Sequence, residues 1–203
     1  GLALVGDGME LRGDFSRMLP RLRQGRLQQE LLVKAARIKG AEAPTAVDCT
    51  AGLGEDSLLL AAAGFTVTLF ERDQTIAALL ADALERAAAD PRLAEAVGRM
   101  TLVTGDSVAG LAALPEPPDV VYLDPMFPAR TKSAAVKKKF QLLHHLEQPC
   151  EEEEALVAAA LAAYPRKVVI KRPAKGGLLA GIKPSYSVGG KAVRYDVLVP
   201  PRS

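Results

Sequence analysis

The residues best suited to chemistry follow a short apolar run, Val120–Leu123, which predicts a buried strand. Asp124 and Pro125 come next, followed closely by Phe127 and Pro128. Pro125 fixes its own backbone and favours an extended conformation for Asp124. Asp124 and the neighbouring carbonyls can then act as hydrogen-bond acceptors beside the ring of Phe127. This arrangement suits a flat ligand with an amino group, such as a nucleobase, although an isolated Asp-Pro is more often a strand–loop junction.

A glycine-containing segment upstream, VDCTAGLGED at residues 47–56, is predicted to join the first strand of the sheet to the first helix. Gly52 and Gly54 permit positive φ angles there and let a ligand approach the backbone closely. The helix that follows offers free N–H groups at its start. The dinucleotide pattern G-x-G-x-x-G lacks its third glycine, because Ser57 stands in that place, and this disfavours NAD. Two acids that begin the helix also disfavour a pyrophosphate, so a neutral or cationic ligand is favoured.

Acidic residues also follow the next two predicted strands. Glu71 ends the second strand about 20 residues after the glycines, where an acid can accept hydrogen bonds from ribose hydroxyls. Asp106, just after the third strand, can accept from an adenine amino group. Each acid taken alone is more consistent with a helix cap or a surface charge. Together with Asp124 and the glycine segment, they fall on the edge where open α/β sheets bind ligands, and this coincidence favours a binding site.

The elements that must position these residues alternate between strand and helix from residue 45 onward, as a parallel sheet with crossover helices requires. The fold class is therefore α/β: a Rossmann-like, doubly wound, mostly parallel seven-stranded sheet with a C-terminal antiparallel hairpin. We expect residues 1–44 to form an N-terminal hairpin and helix that pack on a catalytic domain of residues 45–203. The predicted strands are Ala46–Cys49, Phe65–Phe70, Met100–Thr104, Val120–Leu123 and Lys167–Lys171, with the hairpin at Tyr186–Val188 and Ala192–Val199. The predicted helices are Gln28–Ile38, Asp56–Ala63, Gln74–Ala89, Ser133–Leu146 and Glu152–Ala163.

The composition is that of a globular protein with segregated charge. The chain has 203 residues, a net charge of +2 and 25% charged residues, which suits one α/β domain. No acid occurs between Ala129 and Phe140 or between Ala155 and Tyr195. These basic stretches can build a positive face for a phosphate backbone, and an ordinary solvated surface explains them equally well. No apolar run approaches the roughly 20 residues of a membrane span, and the cysteines match no metal-ligand spacing.

Five segments of the sequence resemble class I S-adenosylmethionine-dependent methyltransferases and, more narrowly, the ribosomal RNA small subunit methyltransferase J family. The segments are Asp48–Asp56, Glu71-Arg72, Val121–Pro128, Lys132–Ala134 with Val136–Lys138, and Val169–Pro173. The resemblance runs from about Leu2 to Val199 and is densest at Val121–Lys138. It implies S-adenosylmethionine (SAM) as cofactor and a cytoplasmic enzyme. The implied reaction is methyl transfer to the exocyclic N2 amine of a guanine in small-subunit (16S) ribosomal RNA.

The resemblance also implies which residues meet the cofactor. With the residues argued above, the predicted cofactor-binding set is Asp48, Gly52, Gly54, Glu55, Asp56, Glu71, Arg72, Asp106, Ser107 and Asp124. Family members usually carry Arg where Glu55 stands and Ser where Asp106 stands.

The predicted catalytic residues are Asp124, Pro125 and Phe127. The Asp124 carboxylate and the Pro125 carbonyl are expected to accept the N–H groups of the amine, and Phe127 to stack on the base. The predicted phosphate contacts are Lys132, Lys137, Lys138, Lys171 and Arg172, which follow the site in sequence. For each of these cations a solvated helix face or a strand-end cap is an equally good explanation. The expected partner is small-subunit ribosomal RNA or the 30S particle, with no membrane and no metal.

Two other classes of function stay open at this point. A DNA or protein amine methyltransferase would use the same cofactor and a similar Asp-Pro-aromatic motif. A non-catalytic nucleotide-binding module would need the glycine segment but not the Asp-Pro-Met-Phe sequence. Calorimetry with SAM against NAD separates the module from the enzymes, and the methyl acceptor separates the enzymes from each other.

Overall fold

A seven-stranded sheet organises the part of the chain that the structure describes. The structure is a computed structural model, and it describes residues 1–6, 8–125 and 153–201. Its strands are β1 (Leu4–Gly6), β2 (Met9–Leu11), β3 (Thr45–Asp48), β4 (Thr66–Glu71), β5 (Met100–Thr104), β6 (Val120–Leu123), β7 (Lys167–Pro173), β8 (Tyr186–Gly189) and β9 (Val193–Leu198). Its helices are α1 (Leu19–Leu22), α2 (Leu31–Ala36), α3 (Glu55–Ala62), α4 (Gln74–Ala88), α5 (Ala94–Val97), α6 (Ser107–Ala112) and α7 (Glu153–Ala162). Short 3₁₀ helices lie at Phe15–Met18, Leu27–Gln29 and Leu179–Gly181.

The order of strands in the sheet is β5-β4-β3-β6-β7-β9-β8. The first five of these strands pair in parallel, and β9 pairs antiparallel with both β7 and β8. The chain winds outward from β3 through β4 to β5 and then returns to the other side of β3 at β6. The strand order therefore reverses between β3 and β6, and ligands of doubly wound sheets bind at the carboxyl ends beside such a switch point.

Helices cover both faces of the sheet. The side chains on both faces of the parallel strands are therefore buried. Along β6, Val120 and Tyr122 belong to one buried cluster, and Val121 and Leu123 belong to a second. Since side chains alternate along a strand, the two clusters are the two faces of the sheet. Helices α3 and α4 pack in the first cluster, and α6 and α7 pack in the second. We call the first the α3 face, and it is the face that carries the site.

The N-terminal residues pack onto the α3 face. Phe15, Leu27 and Leu32 are buried in the same cluster as the sheet residues. Lys167 at the start of β7 donates from Nζ to the backbone oxygens of Ala35 and Arg37, at 3.2 and 2.7 Å, and so caps the end of α2. These contacts agree with the expected packing of the segment, and the division of the chain at residue 44 stays a prediction.

The observed elements differ from the predicted ones mainly where helices are short. The predicted helix at 28–38 is wrong in its first part, because Glu30 has an extended backbone (φ −58°, ψ 129°) that separates a 3₁₀ turn from α2. Helices α5 and α6 were not predicted, and β7 continues two residues further, to Pro173. The predicted helix at 133–146 lies outside the described residues. Within the described ranges, no helix is both long and apolar enough to cross a membrane.

The register of the three central strands aligns the residues that follow them. Asp48 of β3 is opposite Tyr122 of β6, and Leu123 of β6 is opposite Ile170 of β7. Continued past the strand ends, the same register sets Thr50 beside Asp124 and Asp124 beside Lys171.

Candidate active site

The loop from β3 to α3 is a tight turn that depends on two glycines. Gly52 and Gly54 have φ angles of 53° and 76°, in the left-handed region. Gly54 donates from its N–H to the carbonyl of Ala51 at 2.8 Å, which closes the turn. A Cβ at Gly54 would lie 2.7 Å from Leu80 Cδ1 and 3.2 Å from Phe15 Cζ. Both the backbone angle and the close packing therefore require glycine here.

Asp48, the last residue of β3, forms hydrogen bonds that hold this loop. Its side chain is buried, with Oδ1 accepting from the Thr50 N–H at 2.9 Å and Oδ2 accepting from the Ser57 hydroxyl at 2.5 Å. Burial raises the pKa of Asp48 to about 7, against the opposing effect of the two hydrogen bonds. Both oxygens of this buried side chain are engaged within the chain, so Asp48 supports the loop, and its predicted direct contact with a cofactor stays a prediction.

Glu71, at the end of β4, stands directly against the glycine loop. Its Oε2 accepts from the Gly52 N–H and its Oε1 accepts from the Asp73 N–H, both at 2.9 Å. The side chain is buried, and burial raises its pKa above the ordinary value despite these bonds. A carboxylate has about four acceptor positions, so Glu71 can still accept from a ligand hydroxyl. Its neighbour Arg72 is exposed.

The end of β5 is hydrogen-bonded to the end of β4. The Gly105 N–H donates to the backbone oxygen of Glu71 at 2.9 Å. Asp106 is exposed and caps α6, with Oδ2 accepting from the Ala109 N–H at 3.0 Å. Its cap function uses one oxygen, so the predicted contact with an adenine amine would fall to the other. Burial raises the pKa of the Cys49 thiol, and the hydroxyl of the half-buried Ser107 opposes that rise.

Asp124 lies on the other side of the glycine loop, at the end of β6. Its N–H donates to Thr50 Oγ1 at 2.7 Å, and its Oδ2 is 2.9 Å from Lys171 Nζ. Lys171 Nζ is also 2.6 Å from Asp56 Oδ2, which accepts from the Tyr122 hydroxyl at 2.6 Å. Asp56 is in the first turn of α3. One hydrogen-bonded group therefore joins the helix after the glycine loop to the carboxylate after β6.

The charges of this group are partly withdrawn from water. Burial raises the pKa of Asp124, Lys171 opposes that rise, and the nearby Asp56 adds to it. Burial alone would lower the pKa of Lys171, but Asp56 and Asp124 together raise it above its ordinary value. Lys171 is therefore protonated at neutral pH. Two carboxylates around one ammonium leave a negative balance, which suits a cationic ligand.

Two of the predicted phosphate contacts take other places in the structure. Arg172 is 5% exposed, and its Nε donates to the backbone oxygen of Gly177 at 2.8 Å. This burial argues against a phosphate contact, because the side chain turns into the protein where β7 pairs with β9. Lys171 faces the two carboxylates of the site instead of solvent. Phe127, Lys132, Lys137 and Lys138 lie outside the described residues.

Sequence reasoning missed Thr50 and Tyr122 and misjudged Lys171. Tyr122, Asp124 and Lys171 each stand an even number of residues from a buried residue of the α3 face, Val120 or Val169. The alternation of side chains along β6 and β7 therefore predicts that all three share that face. A tyrosine inside an otherwise aliphatic strand, two residues before an acid, was the available signal.

The strand order and the site together define a class I SAM-dependent methyltransferase. The family described as putative SAM-dependent methyltransferase matches residues 7–200 of this chain. The chain is 50% identical over 175 residues to ribosomal RNA small subunit methyltransferase J of Thioalkalivibrio sulfidiphilus, covering 85% of this chain and 69% of that protein. It is 40% identical over 202 residues to the protein of the same name from Neisseria meningitidis, covering 98% and 80%. The chain belongs to the ribosomal RNA small subunit methyltransferase J family.

A solved structure supports the same conclusion. The crystal structure of a SAM-dependent methyltransferase from Neisseria gonorrhoeae matches with a TM-score of 0.78 and 36% identity, over 97% of this chain and 77% of that one. The chain is thus an enzyme that uses SAM as its methyl donor.

The described residues fit this cofactor. Glu71 is buried beside the glycine loop, where it accepts from the Gly52 N–H, and it can also accept from ribose hydroxyls. The negative balance around Asp56 and Asp124 complements the positive sulfur. Glu55 and Ser107 border the same loops.

Proposed function

We propose that this enzyme transfers the methyl group of SAM to the exocyclic N2 amine of a guanine in small-subunit ribosomal RNA. The observation that carries the proposal is the position of Asp124. Its N–H is bonded to Thr50 of the glycine loop, and its carboxylate is bridged by Lys171 to the helix that follows that loop. The proposed acceptor for the amine therefore lies beside the loop that is proposed to bind the methyl donor. The name of the relatives supports ribosomal RNA as the substrate.

The cofactor, when bound, supplies a methyl group that is already activated by the positive sulfur. Glu71 would hold its ribose and the free oxygen of Asp106 its adenine amine, while the Gly52 and Gly54 backbone lines the approach. The other proposed contacts are those of Asp48, Glu55, Asp56, Arg72, Ser107 and Asp124.

The protein must make a poor nucleophile react, since the lone pair of an exocyclic amine is delocalised into the ring. Asp124 accepts one N–H of the amine, and the Pro125 carbonyl is proposed to accept the other. Two acceptors favour the pyramidal nitrogen that attack requires. Positioning of this kind contributes up to roughly 7–11 kcal/mol to a rate in favourable cases.

Asp124 is also the proposed acceptor of the proton that the amine loses. Bound SAM would supply the methyl group and leave as a neutral thioether, and the proton lost by the amine would pass to the Asp124 carboxylate. Burial raises the pKa of Asp124 and so makes the carboxylate a better base. The group must be ionised to act, so methyl transfer falls as the pH falls through its pKa.

The remaining proposals concern the RNA. Phe127 would stack on the guanine, worth on the order of 1–3 kcal/mol, and a paired base would first leave its stack. Lys132, Lys137 and Lys138 would contact phosphates, which predicts that affinity falls steeply with salt. The substrate is naked RNA or the 30S particle, and such an enzyme would work in the cytoplasm. Residues 45–203 would form the catalytic domain, with residues 1–44 packed upon it.

The test replaces Asp124 by Asn and measures transfer of labelled methyl to unmodified 30S particles and to naked ribosomal RNA. Nuclease digestion and mass spectrometry then identify the methylated nucleoside. Asp119→Asn is a matched control, because Asp119 precedes the same strand and hydrogen-bonds the Thr45 N–H at 2.9 Å, at the opposite end. We expect the wild type and Asp119→Asn to form N2-methylguanosine and Asp124→Asn to lose nearly all activity.

Two outcomes would contradict the proposal. Full activity of a folded Asp124→Asn enzyme would remove the proposed role of the carboxylate. Label found in DNA or protein, with none in RNA, would move the enzyme to another class of amine methyltransferase.

A further inference from the structure

Lys171 lies between two acidic side chains of the candidate active site. Its Nζ lies 2.6 Å from Asp56 Oδ2 and 2.9 Å from Asp124 Oδ2, so one ammonium holds two carboxylates. Asp56 belongs to the first turn of the helix after the glycine loop, and Asp124 follows the strand that carries the acceptor site. Lys171 thus links a carboxylate on the donor side directly to the carboxylate on the acceptor side.

We propose that Lys171 is a positioning residue for methyl transfer. It fixes the Asp124 carboxylate relative to helix α3 and keeps it ionised, so that it can accept from the amine. The proposal rests on the proposed function, because it takes Asp124 to be the acceptor. Lys171 itself touches neither the methyl group nor the amine.

The surroundings of Asp124 explain why a cation is required. Asp56 faces it from α3, and the buried Asp48 lies at the end of the neighbouring strand β3. Arg172 follows Lys171 on β7 and acts in the same direction as Lys171, though more weakly. Tyr122 and Tyr195 border the group, and burial raises the pKa of both phenols, so they add no negative charge at neutral pH. Without Lys171, Asp56 and Asp124 would face each other as like charges.

The neighbouring lysine on the same strand shows what a purely structural role looks like. Lys167 donates from Nζ to the backbone oxygens of Ala35 and Arg37 and caps a helix. Lys171 instead meets carboxylates, one of which already accepts from the Tyr122 hydroxyl at 2.6 Å. Tyr122 thereby fixes Asp56, and Asp56 fixes the ammonium that holds Asp124.

The experiment compares Lys171→Met with Lys171→Arg and with the matched control Lys167→Met. The first readout is a ¹³C NMR titration of aspartate carboxyls in the protein without cofactor. The Asp124 signal is the one that is missing from Asp124→Asn. The second readout is the pH profile of single-turnover methyl transfer at saturating SAM.

We expect Lys171→Met to raise the Asp124 pKa by about one unit or more and to move the acidic limb of the rate profile upward by the same amount. Lys167→Met should move neither. Lys171→Arg keeps the charge but not the geometry, so it should leave the titration near that of the wild type and lower the maximal rate. Adding Asp56→Asn to Lys171→Met removes the like charge and should bring the limb partly back down.

An unchanged Asp124 titration in folded Lys171→Met protein would overturn the proposal. If that variant does not fold, Lys171→Gln, which retains hydrogen bonding without charge, decides by the same titration. The two proposals fail separately. A wild type that forms no N2-methylguanosine refutes the function, whereas a pKa that ignores Lys171 refutes only the positioning role.

Discussion

Replacing Asp48 by Asn should remove a pH-dependent loss of stability that arises from the buried carboxyl beneath the glycine loop, at the end of β3. The carboxyl is 1% exposed and burial raises its pKa to about 7 from an ordinary 3.8. Asparagine has nearly the same shape. Its Oδ1 can accept from the Thr50 N–H, and its Nδ2 can donate to the Ser57 hydroxyl oxygen. The substitution therefore keeps the local bonds while it removes the ionisation.

The direction and size of the effect follow from this pKa. Between about pH 4 and pH 7 the folded protein keeps the Asp48 proton and the unfolded chain has lost it, so the wild type loses stability as the pH rises through this window. Above both pKa values the contribution is constant. A difference of about three units at about 1.36 kcal/mol each gives at most about 4 kcal/mol. The stability of Asp48→Asn relative to the wild type should rise by up to that amount across the window.

Urea unfolding at a series of pH values measures the difference, because most other titrations cancel between the two proteins. Ser57→Ala is the informative partner. It removes a hydrogen bond that lowers the Asp48 pKa, so its stability should continue to fall at higher pH than that of the wild type. A difference between wild type and Asp48→Asn that does not change with pH would refute the reasoning. Retained affinity of Asp48→Asn for SAM would support the assignment of Asp48 to the loop.

Two further substitutions test the loop and the packing. Thr50→Val removes the hydroxyl that accepts from the Asp124 N–H at 2.7 Å, which should lower the free energy of unfolding by about 1–3 kcal/mol. The same substitution should slow single-turnover methyl transfer about tenfold or more. Thr50→Ser keeps the hydroxyl and should retain most of the rate. Equal rates for the two variants would show that this bond does not position Asp124. Gly110→Ala places a Cβ that overlaps Cε1 and Cζ of the buried Phe70 ring, so the free energy of unfolding in urea should fall by about 1–3 kcal/mol. An unchanged urea midpoint would contradict this packing.

The strands of the sheet could be predicted because each is a short apolar run between polar loops. Val120–Leu123 and Met100–Thr104 were predicted with the bounds that the structure gives. The antiparallel strands β9 and β8 at one edge of the sheet were predicted from the hairpin around Gly189. Helix α6 could not be found, because six residues that include Gly110 carry no complete apolar stripe.

Residue type and position at strand ends predicted the candidate site residues, but their contacts could not be predicted without the geometry. Glu71 was placed at a strand end by sequence, but nothing in the sequence indicates that the Gly52 N–H donates to it. Lys171 and Arg172 were both predicted as phosphate contacts because both are basic and follow the site in sequence. The structure instead pairs Lys171 with the acids of the site and buries Arg172. Alternation along β7 separates the two residues, since neighbours on a strand point to opposite faces.

The pairing register decides whether this chain has a site. Asp48 opposite Tyr122 and Leu123 opposite Ile170 fix three neighbouring strands in one row. That row ends in Thr50, Asp124 and Lys171, which are joined at 2.7 and 2.9 Å. A slip of one residue in β7 would turn Lys171 to the other face, bring Arg172 in its place and leave the two carboxylates facing each other. The buried apolar residues of β7 hold the register, because the same slip would exchange Val169 with Val168 and Ile170 between the two cores. The same register of β7 therefore determines both the packing of the core and the position of Lys171 in the candidate active site.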